Sequence, residues 1–252
     1  MEHGKRRVII ENVQPRVDGG LYPAKRSVGE RVDVTAAIYG DGHDHIRAEV
    51  LYKKQGAKAW SVIELQQTFN DDWQASFYVP EKGTYLFTIQ AWIDHFDTYD
   101  GFKKKANAKV DVIVELMEGA LLLRTLGETN KELISLARKL EDTEKYQPAI
   151  DIVLSADFAK VVHENPLREN ETKLGYEISV QVEHTKANYS AWYEFFPRSA
   201  SLESGNHGTF ADCIRLLPRI SAMGFDVLYF PPIHPIGKVN RKGKNNNVQL
   251  SR

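Results

Sequence analysis

A single cysteine, Cys213, stands among 252 residues, so no disulfide can close within the chain. A lone thiol suits a reducing compartment and points to the cytoplasm. Charge of one sign is also missing. The chain has 33 basic residues against 34 acidic ones, net −1, with a pI near 6.7. A dedicated nucleic-acid binder needs a large basic excess, so no nucleic-acid partner is expected. No apolar run approaches the ~18–20 residues of a membrane span. Val8-Ile9-Ile10, behind a charged amino terminus, is too short for the apolar core of a signal peptide. The eight histidines are scattered, with no His/Cys cluster at metal-ligand spacing, so no metal is expected. A Walker-type Gly-x4-Gly-Lys-Ser/Thr loop is absent, and nothing calls for a cofactor. With 42% hydrophobic and 27% charged residues, what is present is an ordinary globular chain. Its length suits one large domain or two ordinary ones.

The first third reads as an antiparallel β-sandwich. Val32, Val34, Ala36 and Ile38 alternate with polar residues, as do Trp73, Ala75, Phe77 and Val79, and Tyr85, Phe87, Ile89 and Ala91. Successive strand side chains point to opposite faces, so this pattern marks strands with one buried face. The spacing predicts strands at 7–13, 31–38, 46–53, 61–65, 73–79, 84–93 and 109–116, separated by Gly, Asp and Asn turn clusters. That number and spacing suit an immunoglobulin-like sandwich. Trp60, Trp73, Tyr85, Trp92 and Tyr99 could stack on sugar rings, but the phase of Trp73 and Tyr85 favours core filling.

Past Leu116 the apolar period becomes helical. Leu122, Leu126, Leu133, Leu136 and Leu140 form one stripe. A second helix begins near Pro148, with Ile150, Val153, Leu154, Phe158, Val161 and Val162 as its stripe. Ser155 and Asp157 break it in two, and Asn165-Pro166 ends it. Residues 115–171 hold twelve acids and seven bases, a local charge of −5. Such short helices must bury their apolar faces on the sandwich, on a later domain or on a second copy of themselves.

Tyr176 to Val182 alternates again and reads as a strand returning to the sandwich. Tyr189 to Ser199 is a near-continuous apolar run, the mark of a strand buried on both faces. Thr209 is placed to cap a helix with Phe210, Cys213, Ile214, Leu217 and Ile220 on one face, ended by Gly224. Free cysteine on such a face is usually inert. Asp226-Val227-Leu228-Tyr229-Phe230 follows as a second buried strand, stopped by Pro231-Pro232. Strand, helix and parallel strand make one βαβ unit, whose strand-end loops carry Glu194, Arg198, His234, Lys238, Arg241, Lys242, Asn245 and Asn246. Residues 231–252 hold five basic residues and no acid.

These residues carry a resemblance. Trp192-Tyr193-Glu194-Phe195-Phe196-Pro197-Arg198-Ser199, the stretch from Met223-Gly224-Phe225-Asp226 through Pro231-Pro232-Ile233-His234-Pro235-Ile236-Gly237, and Arg241-Lys242-Gly243-Lys244-Asn245-Asn246 closely resemble the start of the catalytic barrel in the maltose-1-phosphate-dependent α-1,4-glucan maltosyltransferases. These form a bacterial branch of the α-amylase superfamily, glycoside hydrolase family 13. Upstream, the segment YLFTIQAWID at 85–94 is similar to that family's amino-terminal sandwich, and the helical stretch sits where the family inserts a helical domain. Two departures lie in the linker. The family's Val-Asp-Arg triplet is here Val182-Glu183-His184, and a position where a basic residue is common is Asn188.

The resemblance implies a multidomain chain: a sandwich in 1–115, a helical insert in 116–170, a return strand and linker in 171–188, and the truncated start of a (β/α)8 barrel in 189–252. It implies an enzyme that moves maltosyl from α-maltose 1-phosphate to an α-1,4-glucan with retention, as a homodimer joined through the sandwich and helical insert. Retention needs two carboxylates about 5 Å apart. The family supplies them from later barrel strands, so no Asp or Glu here is named catalytic, and this stretch alone is expected to be inactive. The motif match makes Lys242 the donor-binding candidate, with Asn245 and Asn246 suited to sugar hydroxyls. A related hydrolase or isomerase, or a non-catalytic module for glucan binding or dimerisation, remains an alternative. The Arg-Lys-Gly-x-Asn-Asn stretch and the helical insert favour the transferase over the hydrolase.

Overall fold

The computed structural model describes residues 7–42, 44–94, 105, 111–127, 131–142, 146–168, 171–234, 237, 239 and 241–242. They fall into two compact units, Met1–Glu183 and His184–Arg252. The first is a sheet-rich domain of sandwich type with several helices. Its strands are β1 (Val8–Gln14), β2 (Ala24–Ser27), β3 (Arg31–Gly40), β4 (Ile46–Lys54), β5 (Ser61–Glu64), β6 (Gln66–Phe69), β7 (Asp72–Tyr78) and β8 (Gly83–Ile93). Among the described residues the helices α1 (Ile113–Leu126), α2 (Lys131–Glu141), α3 (Tyr146–Val153) and α4 (Ala156–Glu164) follow. Strands β9 (Thr172–Lys173) and β10 (Ile178–Glu183) complete the unit.

One sheet runs β1-β3-β7-β6. The other runs β2-β10-β8-β4-β5, with β9 paired to β8. Their inner faces share one apolar core, with Val32, Val34, Phe77 and Trp73 from the first sheet and Val50, Phe87, Ile89 and Val180 from the second. The alternation read in the sequence puts these side chains inward. Tyr52 of β4 stacks on Phe77 of β7 at 4.2 Å between ring centroids, joining the two sheets across the core. At Leu65 the chain leaves one sheet and enters the other, its N–H donating to the Ala48 carbonyl at 2.8 Å. The returning strand β10 is internal. It pairs in parallel with β2 and antiparallel with β8, with Val180 opposite both Ala24 and Tyr85.

Of the seventh strand expected at 109–116, residues 109 and 110 lie outside the described residues, and the described residues 111–116 form no strand. Residues 113–116 begin α1, and Val112 and Leu116 are buried among the helices. Val112, Leu116, Ala120 and Leu123 are spaced by four, four and three, so they lie along one helix face. A short valine alternation is compatible with either period. The Asp111 carboxylate accepts the Ile113 N–H, and the Tyr146 hydroxyl accepts the Val112 N–H, which fixes the entry into α1. The leucine stripe predicted as one helix is divided between α1 and α2 at Gly127. Ser155 caps α4 by accepting the Phe158 N–H at 3.1 Å, and Asn165 ends it, as the sequence indicated. The helices bury their faces on one another in an apolar cluster separate from the sandwich core.

The second unit contains β11 (Trp192–Glu194), α5 (Phe210–Ala222) and β12 (Val227–Tyr229). The two strands are parallel, Tyr193 opposite Leu228. Thr209 and Asp212 form a reciprocal capping box at the start of α5. Gly224, at φ 86°, turns the chain out of the helix in a conformation that favours glycine. Cys213 is buried on the inner face of α5. The strands are less buried than their apolar sequence predicts: Trp192 is 59% exposed. Among the described residues they pair only with each other, and a two-stranded sheet cannot cover both its faces. Among the described residues no helix is long and apolar enough to cross a membrane.

Candidate functional site

In the second unit, the start of β12 is tied to the start of β11. The Asp226 N–H donates to the Ala191 carbonyl at 2.8 Å, and the Ala191 N–H donates back to Asp226 Oδ2 at 3.1 Å. Lys186 Nζ lies 2.9 Å from Asp226 Oδ1. The ammonium, and then the Ala191 N–H, hold the Asp226 carboxyl below its ordinary pKa. Beyond the strands, Phe195 meets Phe230 edge-on at 5.3 Å, and Tyr193 meets Phe225 at 5.0 Å. Of these, the Phe195–Phe230 pair lies at the carboxyl-terminal ends of the two parallel strands, from which the candidate loops depart. Glu194 ends β11, and His234 is exposed in a bend after β12.

Lys242 is exposed and in no regular element. Asn245 and Asn246 lie outside the described residues. Among the described residues no three His, Cys, Asp or Glu side chains gather as a metal site.

The aromatic residues singled out in the sandwich are mostly structural. Trp73, Tyr85 and Trp92 are buried, and the Trp73 indole N–H donates to the Ile38 carbonyl at 3.0 Å. Trp60 is partly exposed, with Lys53 Nζ 4.2 Å above its ring. Tyr99 lies outside the described residues.

A polar junction that the sequence reading missed joins the helices to the outer face of the six-stranded sheet. Arg47 of β4 stands opposite Trp92 of β8, and Glu49 stands opposite Gln90. Arg47 Nε donates to Glu64 at 3.2 Å, and its Nη1 donates to the His163 carbonyl of α4 at 3.0 Å and lies 3.6 Å from Asp94. Two guanidiniums stack on the Trp92 ring, Arg168 at 4.2 Å and Arg47 at 5.5 Å. Arg168 also donates to Glu49 at 2.9 Å, and Gln90 donates to Glu49 at 2.8 Å. The signal in the sequence was the run of polar residues at alternate positions of β4 and β8, where an uncovered face would also be polar. Beside this junction, between the sandwich and α4, lies a cleft of about 850 Å³.

Residues 6–184 match the family described as α-1,4-glucan:maltose-1-phosphate maltosyltransferase, domain N/S. Three proteins named α-1,4-glucan:maltose-1-phosphate maltosyltransferase are similar across nearly the whole chain. That of Chlorobaculum tepidum is 43% identical over 256 residues, covering 96% of this chain and 37% of its own length. That of Methylacidiphilum infernorum is 39% identical over 252 residues, covering 98% and 38%. That of Pseudomonas aeruginosa is 39% identical over 249 residues, covering 96% and 37%. The chain thus spans less than two-fifths of the length of these relatives. With a family match over most of its residues, the chain belongs to the α-1,4-glucan:maltose-1-phosphate maltosyltransferase family.

Proposed function

We propose that the chain is the amino-terminal part of a retaining glycosyltransferase that moves maltosyl from α-maltose 1-phosphate to the non-reducing end of an α-1,4-glucan. The observation that carries this is the continuous similarity to maltosyltransferases over about 96% of the chain. In this reading the sandwich is immunoglobulin-like and occupies 1–115, the helical insert 116–170, and the return strand and linker 171–188. Residues 189–252 open a (β/α)8 barrel. The parallel β11-α5-β12 arrangement supports the barrel reading, because such a unit is the repeat from which a barrel is built.

Donor binding needs cationic or amide groups around the phosphate. Lys242 is assigned that role, with Asn245 and Asn246 on sugar hydroxyls. The two carboxylates of a retaining transfer are not assigned to this chain. The enzyme is cytoplasmic and a homodimer joined through sandwich and helical insert. An apolar stripe on α1, with Val114 and Leu121 each 66% exposed and Met117 between them, supports a partner on that face.

Phosphate release from maltose 1-phosphate tests the reading in the full-length protein. Lys242→Ala should lower kcat/KM for the donor by about 10- to 100-fold, the range for one charge-assisted contact. The KM for the glucan acceptor should hardly move. Equal loss for donor and acceptor removes Lys242 from the donor site, and maltose release without chain extension turns the reading into a hydrolase.

A further inference from the structure

We propose that the cleft between the sandwich and α4 holds an α-1,4-glucan chain, a glucan site separate from the barrel. This inference rests on the proposed function for the identity of the polysaccharide. At about 850 Å³ the cleft falls within the ~300–1,000 Å³ of small-molecule sites. One wall comes from β3, β4 and the β5–β6 crossing, the other from α4.

The lining suits a neutral polyhydroxylated ligand. Four carboxylates line the cleft, Asp44, Glu64, Asp71 and Asp94, against one guanidinium, Arg47, and two imidazoles, His45 and His163. That guanidinium is engaged by Glu64, Asp94 and the His163 carbonyl, and its residue is only 9% exposed. A phosphorylated sugar entering here would meet this excess of negative charge, and the guanidinium is already engaged. A glucan carries no charge. Planar carboxylates and amides such as Asp71 and Gln66, both exposed, can accept and donate to its vicinal hydroxyls. Trp73 and Phe158, both largely buried, form the apolar floor of the cleft. The Trp73 indole is held in place by its bond to Ile38, so that part of the wall is pre-formed. The ligand would touch both the sandwich and α4, two elements whose apolar cores are separate.

Titration of maltoheptaose into the 252-residue chain, followed by calorimetry, tests the site. Binding is expected, and Asp71→Ala and Gln66→Ala should each weaken it about fivefold, as for one lost hydrogen bond. Both residues are exposed, so these variants should fold normally. Lys242→Ala should leave this binding unchanged, and maltose 1-phosphate should compete less well than maltose. Hydrogen exchange should slow in α4 when maltoheptaose is present. The proposal is overturned if maltoheptaose does not bind, if neither cleft variant weakens it, or if maltose 1-phosphate competes better than maltose. Phosphate release by the full-length protein is read separately. Turnover without cleft binding sinks only this site, and cleft binding without turnover leaves the site and sinks the transferase reading.

Discussion

Arg47 sits with its guanidinium between Glu64, Asp94 and the carbonyl of His163, almost without exposure. Truncating it takes the guanidinium away from Glu64, Asp94 and the Trp92 ring. Arg47→Ala should therefore cost about 3–5 kcal/mol in urea unfolding, the range for one partner removed from a buried charge pair. Arg47→Lys should recover only part of this, because an ammonium lacks the planar fork that reaches Glu64 and His163 together. Asp226 gives a second residue-scale test. Its folded pKa is depressed by Lys186 and the Ala191 N–H, so its contribution is fully present above the ordinary aspartate range. That contribution is lost as pH falls through the lower, folded value. Acid unfolding of the second unit, followed by its aromatic signals, should lose this limb in Asp226→Asn. No sequence pattern announces either contact. Lys186 and Asp226 are 40 positions apart, and only the parallel pairing of β11 and β12 places them together. Lys186 also supplies a cation two residues before Asn188, the linker position where the family commonly carries a basic residue.

At the level of elements, α5 depends on its capping box and on the loop that precedes it. Thr209→Ala should cost about 1 kcal/mol, read from the unfolding midpoint. Gly208→Ala should do more, because a Cβ there would lie 2.3 Å from the Pro197 carbonyl oxygen and the backbone would have to move. Amide exchange in the 197–208 loop should rise in that variant. Strands with one apolar face were legible because alternation reports burial directly, as in β3 and β8. β2, reading AKRS, and β6, reading QQTF, were not legible, since their pairing is set by neighbouring strands rather than by their own hydrophobicity. The misread segment at 109–116 failed for the opposite reason. Its valines satisfy two periods at once, and the helical cluster around Leu123 selects one. Lys242 is put forward only through motif similarity, because nothing local to an exposed lysine marks a role.

For the molecule as a whole, the separation of the two apolar cores in the first unit matters most. The sandwich and the helices each close on themselves and meet through charged and stacked groups. Leu123→Ala, in the helical core, should cost about 2–5 kcal/mol and speed amide exchange in α1 to α4. The protection of β3, β4 and β8 should be largely retained. Exchange that accelerates equally in both parts would mean that the polar junction couples them into one cooperative body.

The internal position of β10 has a consequence for biosynthesis. Ala24 and Val180 are strand neighbours separated by 156 positions, and β10 fills the slot between β2 and β8. A nascent polypeptide emerging from the ribosome cannot seal that sheet until Glu183 has cleared the exit tunnel. Until then β2 and β8 offer unpaired backbone to any neighbouring chain, so a stall within the helical excursion is when this protein is most exposed to misassembly.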